Sequence, residues 1–289
     1  MPTLIRIGNQ DLTVDISPLG AEMQALTSSD GRSWLWTGDA AFWTGRSPIL
    51  FPIVGKAPDD KTAIDGTVYP MAQHGFARRS EFTLAASTAT MCRHELVASE
   101  ASRAVYPFDF QLALEHAVEG RALTVTAEVS NRDQKAMPFG LGFHPAFAWP
   151  LPGAAGQAHT IMLENAGEPV LVRLEGGLIN PAALPSPFKA GRLVLDHAMF
   201  EQDAMIFPQG AGEGLHYGAE GGPSLRFGFK NLPNLALWTK PGAPFICIEP
   251  WHGTAAEAGS SNELSKRPST TILAPGAVAS FAFTVEIPQ

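Results

Sequence analysis

Two short segments carry most of the chemistry that can be read from this chain: Gly142-Phe143-His144-Pro145-Ala146-Phe147 and Cys247-Ile248-Glu249-Pro250-Trp251-His252-Gly253. Each sets one ionisable side chain among apolar neighbours and follows it with proline, which biases the preceding residue toward extended backbone and away from helix. An imidazole between Phe143 and Pro145 is in a setting where desolvation disfavours the charged form, which suits acid/base work. A carboxylate between Ile248 and Pro250 is expensive to bury unless something pairs with it. Together, His144 and Glu249 read as an acid/base couple; for Glu249 the bland alternative is a structural ion pair.

A third segment, Gln73-His74-Gly75-Phe76-Ala77-Arg78, could converge on the same place, although His74 serves equally well as a structural histidine. Arg46, Lys56 and Arg78 offer fixed donors for hydroxyls or a phosphate, against the simpler reading of solvated charges. Asp203, entering the apolar stretch Ala204-Met205-Ile206-Phe207, is either a turn former or a hydroxyl acceptor. Trp251, with Trp238, Trp149 and Phe147, supplies aromatic faces for sugar C–H surfaces or for the core. Of the other histidines only His252, three residues after Glu249, draws attention. Cys247, between two isoleucines, reads as a small buried hydrophobe.

Most standard motifs are missing. The chain has no phosphate-binding loop, nucleophile elbow or zinc helix, and its glycine run at 210–214 lacks dinucleotide spacing. No cofactor is expected. A metal site from His74, His144 and Glu249 lacks the short spacing common in metal motifs, so none is expected either. Glycoside hydrolysis normally needs two carboxylates, and only one stands out.

The elements that must hold these residues are strands. Strict alternation marks Leu12–Ile16, Leu112–His116, Leu123–Val129, Leu225–Phe229 and Phe281–Ile287, the period-two signature of half-buried β structure. Turn signals at Asp30-Gly31, Asp65-Gly66, Glu119-Gly120 and Asn131-Arg132-Asp133 predict hairpins between them. The 24 prolines leave few windows for a long helix; the best is a short one over Thr254–Leu264. Residues 150–157 and 210–222, rich in Gly, Ala and Pro, read as surface loops. The expected fold is all-β, a large antiparallel two-sheet sandwich formed by one domain over residues 1–289.

A net charge of -8 and a pI near 5.5 give no electrostatic reason to bind nucleic acid or an anionic membrane. The N-terminus lacks the pattern of a secretory signal, and no stretch is apolar for the roughly 20 residues of a membrane helix. Two cysteines, Cys92 and Cys247, cannot form a disulfide framework. A cytoplasmic protein with reduced thiols is expected, as a monomer or homodimer, with a small neutral partner.

Four blocks in order, Ser47-Pro48-Ile49-Leu50-Phe51-Pro52-Ile53-Val54-Gly55, Gln73–Arg78, Gly142–Phe147 and Ile248-Glu249-Pro250-Trp251, resemble the aldose 1-epimerase (galactose mutarotase-like) family, and within it the LacX-like branch. The resemblance covers nearly the whole chain. It implies a β supersandwich with a groove on one sheet, where a histidine and a glutamate interconvert the α and β anomers of a free sugar. Carried over by motif, Glu249 matches the catalytic base, His144 the acid and His74 a substrate contact, with Arg78 in the same motif. Many relatives have Gly-Arg where this chain has Gly55-Lys56, so a planar contact to hydroxyls is replaced by a point charge. Asp203 falls roughly where the family places an acidic sugar contact. The rivals are a hexose-6-phosphate 1-epimerase that grips phosphate through Lys56, Arg46 or Arg78, and a non-catalytic sugar-binding module on the same fold.

Overall fold

In the computed structural model, which describes residues 3–289, the chain forms two large antiparallel sheets; four of the five alternating segments are neighbours in the first, and Leu12–Ile16 is the middle strand of a separate three-stranded sheet. The first has nine strands, in the order Arg192–Val194, His159–Leu163, Gly214–Ala219, Ser224–Lys230, Val278–Glu286, Ala122–Asn131, Phe110–Glu119, Met91–Val97 and Thr83–Ser87. Its centre follows from pattern: Leu123, Val125, Ala127 and Val129 are buried while the residues between them are half exposed. A two-residue turn with Gly120 at φ 53° closes the hairpin between Glu119 and Ala122. Asp65-Gly66, both at positive φ, close the small hairpin of Lys61–Ile64 and Thr67–Pro70 in the same way.

The second sheet has eight strands. Seven run in the order Leu178–Leu184, Leu171–Glu175, Met205–Phe207, Asn234–Trp238, Phe245–His252, Leu141–Phe143 and Ile49–Leu50, and Ala146–Ala148 also pairs with Phe245–His252. Phenylalanines stitch the sheets together: Phe143 meets Phe283 and Phe147 meets Phe227 edge to face, each with ring centroids 5.0 Å apart. Fully burying such a side chain contributes about 1.5–3 kcal/mol. Because Phe143 and Phe147 both anchor in the core, the intervening His144 and Ala146 are turned to the opposite face of the sheet.

Two expectations fail. The stretch Thr254–Leu264 is not a helix; only the 3-10 turn Leu264–Lys266 forms at its end, because Gly259-Ser260-Ser261 offers nothing to bury. The one α-helix among the described residues is the four-residue Glu100–Arg103, capped reciprocally by Ser99 and Ser102. Residues 210–222 are not all loop: Gly214–Ala219 is an interior strand of the nine-stranded sheet, with Leu215 and Tyr217 fully buried. Its glycines conceal the pattern, and Gly218 is needed there because a Cβ would press within 2.8 Å of Ser224. No helix among the described residues is long and apolar enough to cross a membrane.

Candidate active site

Strand Phe245–His252 sorts its own residues by alternation. Ile246 and Ile248 join the core between the sheets, whereas Phe245, Cys247 and Trp251 belong to apolar clusters on the other face. Glu249 therefore projects on that outer face as well. Across from it, Gly142 pairs with Trp251 and Ala146 with Cys247. The register is the same on either side of the gap, so stepping two residues inward from each pair sets His144 directly opposite Glu249. Pro145 has no N–H to give the ladder, but its carbonyl accepts from Ile248 N–H at 3.1 Å, and the His144 N–H donates to the Pro48 carbonyl at 3.2 Å. The flanking prolines thus interrupt the hydrogen bonding without breaking the alignment.

His144 Nε2 lies 3.2 Å from Glu249 Oε2. The contact lacks hydrogen-bond alignment: Glu249 Oε2 and His144 Nδ1 are both buried without a hydrogen-bond partner. Such orphaned groups are rare in folded proteins and cost about 1–3 kcal/mol each. His144 is 8 % and Glu249 1 % exposed. Trp43, with its ring centroid 5.0 Å from that of His144, and Trp238, at 5.8 Å, enclose the imidazole. Burial pushes His144 down to about 3, and the Arg78 charge acts in the same direction. Burial holds the Glu249 carboxyl well above the usual carboxylate range; Asp203 adds to this and the Trp251 indole opposes it. Both shifts favour the uncharged form of each group, carboxyl beside imidazole.

The pair forms part of the wall of a cavity of about 360 Å³, within the range of about 300–1,000 Å³ usual for small-molecule sites. His74, Arg78, Asp203 and Trp251 line it too. His74 is locked by two bonds to one glycine: its N–H donates to the Gly55 carbonyl at 2.8 Å, and its Nδ1 accepts from the Gly55 N–H at 3.1 Å. Accepting at Nδ1 puts the ring proton on Nε2. Burial, then the proximity of His144 and Arg78, lowers the pKa of that ring. The loop that carries it folds back on the Phe-Pro strand, where Gly75 at φ 70° passes so close that a Cβ would lie 2.1 Å from the Phe51 carbonyl oxygen.

Arg78 donates to the Gln73 carbonyl at 3.0 Å, but its Nε is buried without a partner. Among the described residues no carboxylate forms a salt bridge with it. Asp203 sits exposed at the rim, at φ 66°, with Oδ1 accepting from the Ala204 N–H at 2.7 Å. Of the remaining expected contacts, Arg46 and Lys56 do not line the cavity. Arg46 is engaged with the Thr37 carbonyl at 2.7 Å and with Gln24, and its own N–H is held by Glu22. Lys56 lies beside Gly177 at the edge and approaches Asp60 at 4.0 Å. His252 faces the core side, with Nδ1 2.8 Å from the Asn231 carbonyl oxygen and its ring against Phe281.

Sequence inspection missed Trp43, which lies in a loop without any periodicity to mark it, as well as Leu174, Gly177 and Ala255 along the wall. One cluster could hold a metal ion: donor atoms of His144, Cys247 and Glu249 all lie within 4.8 Å of one another. His74 is not part of it. A larger, more open hollow of about 810 Å³ lies over Thr124, Thr126 and Thr284 on the nine-stranded sheet. It has no histidine, and its only charged lining residues are Glu213 and Lys230, so size alone does not make it the reactive site.

A family model for aldose 1-epimerase matches residues 3–278. The chain belongs to the aldose 1-epimerase family. Chromosomal protein LacX of Lactococcus lactis subsp. lactis is 29% identical over 286 residues, covering 94% of this chain and 95% of that protein. A galactose mutarotase-like protein from Lactobacillus casei superposes with a TM-score of 0.93 at 29% identity, over 99% of this chain and 100% of the other. A galactose mutarotase related enzyme from Lactobacillus acidophilus shares the fold, with a TM-score of 0.94 at 24% identity over 99% and 98% of the two chains. In this member of the aldose 1-epimerase family, the groove on the eight-stranded sheet is thus where the four sequence blocks meet. The Phe-Pro strand leads to Gly55, Gln73–Arg78 forms one wall, and the two proline-flanked segments set His144 against Glu249.

Proposed function

We propose that the chain interconverts the α and β anomers of a free aldose, with Glu249 as base and His144 as acid. The observation that carries this reading is the close, unaligned approach of two buried protonatable groups on a sugar-sized cavity. Anomer exchange requires one group to remove the C1 hydroxyl proton while another protonates the ring oxygen. The carboxylate–imidazolium form needed for ring opening contains the same number of protons as the neutral form favoured by burial, so no exchange with solvent is required to reach it. Hydroxyl donors of a bound sugar favour the carboxylate by hydrogen-bonding to the charged form. Glu249 then takes the C1 hydroxyl proton, His144 gives its proton to the ring oxygen, and the C1–O5 bond breaks to leave the open-chain aldehyde. Rotation about C1–C2 presents the other carbonyl face, and the reverse transfers close the ring.

The His74 Nε2–H and the Arg78 guanidinium supply donors for sugar oxygens, Asp203 an acceptor at the rim, and Trp251 an apolar wall. The absence of a carboxylate partner for Arg78 favours a second reading, a phosphorylated sugar whose ester oxygens complete that guanidinium, with Lys56 nearby. Two free, buried cysteines suit a reducing, cytoplasmic compartment. Polarimetry of freshly dissolved α-glucose, α-galactose and α-glucose 6-phosphate tests these readings together. Acceleration over the buffer rate with a free hexose supports the first, preference for the phosphate ester the second, and saturable binding without acceleration would reduce the protein to a sugar-binding module.

A further inference from the structure

The residue beneath the pair has no part in anomer exchange. Cys247 precedes Glu249 by two positions on one strand, so its sulfur and the carboxylate share a face, and His144 lies opposite Glu249 and diagonal to Cys247. A tetrahedral zinc ion bound at about 2.0–2.3 Å holds its ligands about 3.3–3.7 Å apart. The His144 Nε2 to Glu249 Oε2 separation of 3.2 Å is close to that spacing, and the sulfur lies within 4.8 Å of the other two donors. The unpartnered Glu249 Oε2 is the independent sign of a missing ligand.

Charge supports the same conclusion. Cys247 and Glu249 are both buried, 0 % and 1 % exposed. A dication that displaces one proton from the thiol and one from the carboxyl leaves a neutral unit, which the surrounding Trp43, Trp238 and Phe245 rings tolerate far better than an isolated anion.

We propose that His144, Cys247 and Glu249 form a binding site for a thiophilic divalent cation of the Zn²⁺ or Cd²⁺ type, whose occupancy takes the acid/base pair out of action. Binding rests on the geometry alone; inhibition also rests on the function proposed above.

Titration of the metal-free full-length chain with Co²⁺ should raise a thiolate-to-cobalt charge-transfer absorption in the near-ultraviolet, saturating at about one ion per chain and abolished by Zn²⁺. Cys247→Ala should lose that absorption and bind Zn²⁺ at least tenfold more weakly in equilibrium dialysis, with Cys247→Ser as the second variant and circular dichroism checking the fold of each. Equal Zn²⁺ affinity in wild type and variants, or no thiolate absorption, overturns the site. Anomerisation of α-glucose, followed in parallel, should be suppressed by Zn²⁺ in the wild type and tenfold less sensitive in Cys247→Ala. Cys247-dependent binding with undiminished anomerisation overturns the inhibitory role and the assignment of the pair, whereas a wild type that binds Co²⁺ through Cys247 but never anomerises leaves the metal site standing and removes the function.

Discussion

Two buried histidines in this protein look alike by themselves and differ in everything around them. His144 and His116 are each pushed down to about 3 by burial, and each lies near a buried cysteine, Cys247 beside Glu249 in one case and Cys92 directly across the strand pair in the other. Both have an unpartnered Nδ1. His116 faces the core between the sheets, with buried His94 as its titratable neighbour, and it lines neither of the two cavities described above. His144 faces a carboxylate and a cavity. A perturbed imidazole is therefore no sign of function until a charge partner and an opening accompany it.

The sharpest way to break the contrast is to remove the partner. Glu249→Gln, which keeps shape and polarity, should lower the rate of anomerisation measured by polarimetry by about 10²–10⁴-fold while leaving sugar binding intact. Full activity in that variant would put His144 on the same footing as His116. The paired substitutions His144→Asn and His116→Asn should diverge next: the first loses activity on a comparable scale, the second keeps it, and equal losses would point to a purely structural effect of both.

Stability against pH should bring the two histidines back together. His94, His116 and His144 all have pKa values lowered by folding. Below pH 6.5 the unfolded chain therefore binds more protons, so their contribution is complete above that value and is lost as pH falls. For His116 and His144 the loss continues to about pH 3, at about 1.4 kcal/mol per pH unit for each. His116→Leu should flatten the acid limb of a urea-denaturation series without altering turnover. Glu249 works in the opposite sense: its raised pKa means stability present below the unfolded value of 4.5 and lost as pH rises toward the folded one. Glu249→Gln should accordingly raise the thermal midpoint at neutral pH, more than it does in acid. The smallest expected effect is that of Arg78→Met, which removes one donor from the cavity and should raise KM by about tenfold, equivalent to about 1.4 kcal/mol, with little change in kcat.

Much of this arrangement was legible in the residues. The alternating runs became strands nearly where they were read, because side-chain direction in extended chain depends only on the neighbouring residues. The proline-flanked His144 and Glu249 segments marked the cavity-bearing face of the eight-stranded sheet for the same local reason. Legibility failed where the signal was not local. Gly214–Ala219 hid its strand behind glycines, and Arg46, a plausible sugar donor by type, is occupied by Thr37 and Gln24. Trp43 reaches His144 from a loop whose course depends on contacts far along the chain, such as the packing of its ring against Trp238 and Phe245.

By itself the sequence determined that the chain would be β, that Phe143 and Phe147 would face one way and His144 the other, and that Cys247 and Glu249 would share a side of their strand. Steric alternation with period two enforces all of this within a few residues. Only the tertiary structure decided that residue 144 would stand opposite residue 249, and that this histidine rather than His116 or His252 would open on a cavity. That choice depends on the pairing register between segments about a hundred residues apart, and the packing of the core between the two sheets, not any local preference, sets that register.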